Sequence, residues 1–156
     1  MGCIYGSPKP LSQKIPYGIG LYVIEMNNEL NRIEGIGYIH NVVNYDKYFE
    51  VYDPIENQQF NSYVFRGKTR MDREYLNREN PELVSILDYI LFKEKTHMKR
   101  GNGLTRVPCK LLNHEKCYIN NNNINIQKEI KILFQKYICH QQIMEQRNKQ
   151  TKVHPI

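Results

Sequence analysis

Residues 17–40 read YGIGLYVIEM-NNELN-RIEGIGYIH. Tyr17 to Met26 is rich in β-branched and aromatic side chains, which suit a half-buried pleated surface. Asn27-Asn28-Glu29 supplies a turn. Arg32 to His40 is a second strand with Ile33, Ile36 and Ile39 as apolar anchors. Two such runs joined by a short Asn-rich link predict an antiparallel hairpin. Gly18 and Gly20 interrupt the first strand, and Gly35 and Gly37 flank Ile36 in the second. A glycine inside a strand marks a bulge, a tight bend or the close approach of another backbone. Paired glycines in paired strands predict a small, strongly curved sheet or barrel.

Further strands are expected on the C-terminal side of the hairpin. Tyr48 to Tyr52 (YFEVY) and Phe60 to Arg66 (FNSYVFR) alternate at the strand period, with a turn from Asp53-Pro54 to Gln58 between them. On the N-terminal side, Pro8, Pro10 and Pro16 make residues 1–16 an irregular lead-in.

Helical signals follow. Asn80-Pro81-Glu82 combines an N-cap, a proline at the first helical position and an early acid. Leu83, Ile86, Leu87, Ile90 and Leu91 recur at helical spacing, so an amphipathic helix is expected from Pro81 to about Lys93. Lys95 to Lys110 is polar and basic, a loop with a short strand near Leu104 to Val107. The Asn tract at 120–123 is a linker. Apolar residues at 126, 130, 133, 134, 137 and 138 predict a second helix from Ile126 to about Met144. The expected organisation is one α+β domain over 17–145, with a small curved antiparallel sheet or β-barrel and two flanking helices. A basic, flexible tail over 146–156 completes it.

A chain of 156 residues that is 40% hydrophobic can bury a core as one domain. No apolar run approaches the roughly 18 residues of a bilayer span, so no membrane partner is expected. Met1-Gly2-Cys3-Ile4-Tyr5-Gly6-Ser7 misses a myristoylation signal, because Gly6 stands where Ser or Thr is needed. Cys3, Cys109, Cys117 and Cys139 without a secretory signal predict free thiols and an intracellular location. Abundant Asn and Ile with no Trp resemble AT-rich coding, as in some large DNA viruses or protists.

The charge is unevenly spread. Residues 1–65 hold four Lys/Arg against seven Asp/Glu, 66–110 hold eleven against six, and 111–156 hold seven against three. The net +6 therefore belongs to the second half, which points to an anionic partner. Two basic stretches carry the candidate contacts. Arg66, Lys68, Arg70 and Arg73 follow Tyr63 and Phe65, so an aromatic face precedes a run of phosphate-binding cations. Lys99-Arg100-Gly101-Asn102-Gly103, followed by Thr105-Arg106, joins cations to glycines whose backbone N–H groups can approach an anion. Its spacing is not that of a Walker loop, and a plain turn is the simpler reading. A zinc site would have to draw on Cys109, His114, Cys117 and Cys139. Their spacing matches no common finger, and buried thiols are the expected state. No nucleophile motif or paired carboxylate stands out, so neither an enzyme nor a cofactor is expected.

Gly18 to His40 followed by Tyr45 to Tyr52 resembles the PUA-like superfamily, particularly its EVE, ASCH and YTH relatives. The resemblance covers about a third of the chain. It implies a small β-barrel that binds RNA, or DNA or RNA with a modified base, in an aromatic pocket; without Trp, Tyr or Phe would line it. Gly20-Leu21-Tyr22 with Gly37-Tyr38-Ile39 is faintly similar to the GIY-YIG nucleases, though the second triplet is out of order. The expected function is a nucleic-acid-binding module for RNA or DNA, contacting it through Tyr63, Arg66, Lys68, Arg70, Lys99, Arg100, Gly101, Gly103, Thr105 and Arg106. The alternative is a non-enzymatic viral structural or interaction protein with an acidic protein partner.

Overall fold

The computed structural model describes residues 2–44, 51, 53–119 and 122–152. A three-stranded antiparallel sheet lies at its centre, in the order β2 (Gly20–Asn27), β3 (Arg32–His40), β5 (Thr69–Asp72). The expected hairpin is β2–β3, running from Gly20 opposite His40 to Asn27 opposite Arg32, with a bulge between Glu25 and Met26. Asn27 closes its turn by accepting from the N–H groups of Glu29 and Leu30.

A two-stranded ribbon of β1 (Cys3–Ser7) and β4 (Tyr63–Gly67) crosses one face of this sheet. The first sixteen residues are thus not all irregular, because the stretch ahead of the prolines finds a partner strand distant in sequence. β4 runs into β5 through a corner at Gly67-Lys68, so one bent strand pairs first with β1 and then with β3. A β-carbon on Gly67 would lie 2.0 Å from the carbonyl oxygen of Tyr38, so only glycine fits the corner. β1 and β2 do not pair among the described residues, so the sheets stay open and do not close into a barrel.

The longer helices cover the other face. Between β4 and its preceding loop, α1 (Pro54–Asn57) and a 3-10 turn (Gln58–Asn61) replace the expected turn and the first residues of the expected strand. α2 (Arg73–Glu79) begins where the basic run ends, its first turn capped by the Asp72 carboxylate accepting from the Tyr75 N–H at 2.8 Å. α3 (Pro81–Phe92) starts as expected at Asn80, whose side chain accepts from the Leu83 N–H at 3.0 Å. α4 (Cys109–Leu112) and a 3-10 turn (Glu115–Cys117) lead to a short hairpin, β6 (Tyr118–Ile119) and β7 (Asn122–Asn123), in place of a linker. Leu104 to Val107 is irregular, not a strand. α5 (Ile126–Thr151) runs well beyond Met144, so residues 146–151 are helical where a frayed tail was expected. The strand expected over Tyr48 to Tyr52 lies outside the described residues, apart from Val51.

The main core joins Ile33, Ile36 and Met71 of the sheet to Leu83, Leu87, Ile90 and Leu91 of α3 and to Ile126, Ile130, Leu133 and Phe134 of α5. On the ribbon side Ile39, Val64 and Phe65 are also buried. One ion pair pins the layers. Asp88 of α3 forks onto Arg73 at 2.8 and 3.1 Å and also accepts from the Ile33 N–H at 2.7 Å, while Arg73 donates to the Ile33 carbonyl at 2.8 Å. The start of β3 is thereby tied to both helices. No described helix is long and apolar enough to cross a membrane.

Candidate nucleic-acid interface

Ser7 at the end of β1 is 2% exposed, and its hydroxyl joins the chain just after it to the glycine loop. The hydroxyl donates to the Lys9 carbonyl at 2.8 Å and accepts from the Leu104 N–H at 3.4 Å. Across the ribbon Ser7 stands opposite Tyr63, the first residue of β4. Gly103 has φ +70°, and a β-carbon there would fall 2.6 Å from both Ser7 Oγ and Pro8 Cδ. The glycine loop therefore folds back to the end of the ribbon, and its glycine exists for that close approach. Met98 starts the return by donating its N–H to the Leu91 carbonyl, and Gly101 closes a tight turn onto Met98.

The predicted contact residues divide into two groups. Arg70 is occupied: its guanidinium forks onto Glu25 at 2.8 and 2.5 Å and reaches the Glu34 carbonyl at 3.4 Å. The Glu25 hydrogen bond also raises the Arg70 pKa. Lys99 is occupied too. Its ammonium donates to Asn31 Oδ1 at 2.7 Å and its carbonyl accepts from Asn28, which clasps the loop to the hairpin turn. Arg73, from the same basic run, is held by Asp88.

Arg66 is exposed on β4, but it stands three positions after Tyr63, and alternation in a strand puts them on opposite faces. The expected pairing of Tyr63 as a stacking face beside Arg66 is not formed. Lys68 is exposed at the corner before β5. Arg100, Gly101, Gly103, Thr105 and Arg106 are all exposed, on the loop docked at Ser7. Arg100 and Arg106 make no ion pair among the described residues. Lys9 joins them through the Ser7 hydroxyl. Sequence reasoning missed Lys9, since three prolines around it signal only a loop, and the contact that places it spans ninety-odd residues.

The remaining cues resolve into packing. Tyr22 and Tyr38 face each other across the hairpin with rings 5.2 Å apart, and both lie against Phe134, at 5.1 and 6.1 Å. The Cys/His set does not assemble. Cys117 is buried with its thiol toward the Leu112 carbonyl, and Cys109 and Cys139 are exposed on different helices. His114 accepts from the Lys116 N–H through Nδ1 and faces Glu94 through Nε2 at 3.2 Å. Among the described residues no three His, Cys, Asp or Glu side chains are placed to hold a metal ion.

A second surface, an open groove of about 990 Å³ between α3 and residues 115–118, holds Tyr89, Lys93, Lys116 and Tyr118. Lys116 sits over the Tyr89 ring at 4.6 Å. Glu82 and Glu115 share the wall and balance these cations, so the groove offers a polyanion no net attraction. At the Ser7 junction Lys9, Arg100 and Arg106 are exposed and make no ion pair among the described residues. No family model matches the chain, and neither does any curated protein or solved structure.

Proposed function

We propose that the protein is a nucleic-acid-binding module whose contact surface centres on the Ser7 junction. The supporting observation is Ser7, whose hydroxyl bonds the Lys9 backbone and the glycine loop and whose backbone stands opposite the start of β4. Lys9, Arg100 and Arg106 there would contact phosphates, with the exposed loop N–H groups and Thr105 as neutral donors. Tyr63, half-buried at the same end, would supply a stacking face. The cations locked to Glu25, Asp88 and Asn31 hold the scaffold and leave the ligand to the others.

The test is a titration of the full chain with labelled single-stranded RNA and DNA at low and high salt. Phosphate binding weakens steeply with salt. Arg100→Ala with Arg106→Ala should weaken binding about equally for all sequences and lower the salt slope by about one unit per lost phosphate contact. Tyr63→Ala should cost on the order of 1–3 kcal/mol if a base stacks there. Binding that ignores salt, or that survives both changes untouched, removes this assignment.

A further inference from the structure

We propose that the outer edge of β2 is a self-association surface, where a second copy of this chain lays its own β2 antiparallel to the first about a two-fold axis. β2 lies at one edge of the central sheet. Among the described residues no backbone group from another segment bonds to residues 21–26 on that outer side. An eight-residue edge of this kind is a template for another strand. Proteins that keep such edges single guard them with lysine, proline or an inward charge. β2 has no Lys, Arg or Pro, and its one charge, Glu25, is held by Arg70 and Tyr5. The bulge falls beyond Glu25, which leaves Gly20–Glu25 as an unbroken stretch in regular register with β3.

The surroundings of this edge are apolar and uncovered. Tyr17 is 82% exposed, Ile19 45% and Tyr22 37%. The Tyr22 ring rests on Phe134, and one helical turn further along α5, Ile138 is 40% exposed on the same side of the helix. The apolar rim therefore runs from the strand edge onto α5. A strand added to β2 would cover Tyr22 and Ile138 together.

A second copy fits this surface better than the other occupants. A two-fold axis perpendicular to the sheet keeps both α5 helices on one face, so the Tyr22–Phe134–Ile138 strip of one copy meets that of the other. The paired strands would oppose no unpaired like charges, because Glu25 is already matched. A nucleic acid is disfavoured, since no Lys or Arg occurs between Lys14 and Arg32.

The test is sedimentation equilibrium of the nuclease-treated full chain over a range of concentrations, in physiological and about 1 M salt, together with amide hydrogen exchange. A dimer that survives high salt is expected, with amides in 20–25 that lose protection on dilution. Ile138→Lys, a substitution at an exposed site, should weaken the dimer on the order of tenfold or more with the thermal midpoint of the diluted monomer unchanged. Four results would overturn the proposal: a monomer at every concentration, a dimer lost in high salt, β2 amides indifferent to concentration, or an Ile138→Lys dimer of undiminished affinity. A monomer that gains β2 protection only with an added extended peptide would assign the edge to a different protein.

Discussion

Tyr5 of β1 occupies space over Gly37 of β3 that a single β-carbon would fill. A carbon built on Gly37 would fall 2.1 Å from the Tyr5 hydroxyl oxygen and 2.8 Å from Cys3 Sγ. Gly35 plays the same part for Arg70, whose guanidinium nitrogen would be 2.8 Å from a β-carbon there. The Glu-Gly-Ile-Gly run of β3 thus buries Ile36 on the helix side and makes a trough on the ribbon side. Tyr5, Glu25 and Arg70 fill that trough. Gly37→Ala must push Tyr5 and the ribbon outward, at a cost of about 1–3 kcal/mol for overpacking. Denaturant midpoints of the variant and the parent measure it.

The same phenol should govern alkaline stability. Burial, reinforced by its hydrogen bond to Glu25 at 2.7 Å, pushes the Tyr5 pKa well above its ordinary value of 10.0. A raised folded-state value contributes stability that is complete below the unfolded value near 10 and is lost as pH rises beyond it. Thermal midpoints should therefore fall above pH ~10 in the parent and fall less steeply in Tyr5→Phe. Absorbance titration should show one tyrosine that ionises only as the protein unfolds. An alkaline limb identical in both proteins would refute this role.

Asp88 bonds a helix partner and a strand backbone at once. Asp88→Ala leaves the Ile33 N–H and the Arg73 guanidinium without their carboxylate, at a cost of about 1–3 kcal/mol. Arg73→Ala should cost less, because the Ile33 N–H keeps its acceptor. The order of the two unfolding midpoints decides the matter.

Gly103→Ala removes no charge, yet it should impair binding. The left-handed backbone costs a non-glycine residue roughly 1–2 kcal/mol, and the new carbon would collide with Ser7 and Pro8. The loop should then lift from the junction and carry Arg100 and Arg106 with it. A lower affinity and a flatter salt slope are expected, read in the same titration as the arginine variants.

Strand alternation makes a prediction about coupling. Tyr63 and Arg66 lie on opposite faces of β4, so the binding costs of Tyr63→Ala and Arg66→Ala should add to within about 0.5 kcal/mol. A double-mutant cycle with a larger interaction energy would mean that both touch the same nucleotide.

The hairpin, α3 and the start of α5 were legible because their causes are local. The β-branched and aromatic run over 20–26, the Ile33, Ile36 and Ile39 anchors, the Asn80-Pro81 cap and the spacing of Ile126, Ile130 and Leu133 each act within a short stretch of chain. The net positive charge and the Gly-rich basic loop were legible for the same reason. β1 was not, since Cys3–Ser7 becomes a strand only by pairing with β4, and its local sequence reads as the start of a proline-rich loop. β5 was hidden in a basic run with one apolar residue, Met71, and becomes a strand because β3 accepts it. The candidate site divides along the same line. The identity of its cations is written in the chain, but which of them remain available is set by partners far away: Glu25 for Arg70, Asn31 for Lys99, Ser7 for the loop that carries Arg100 and Arg106. A charge is a property of a residue, whereas its neutralisation depends on what folding brings within a few ångströms.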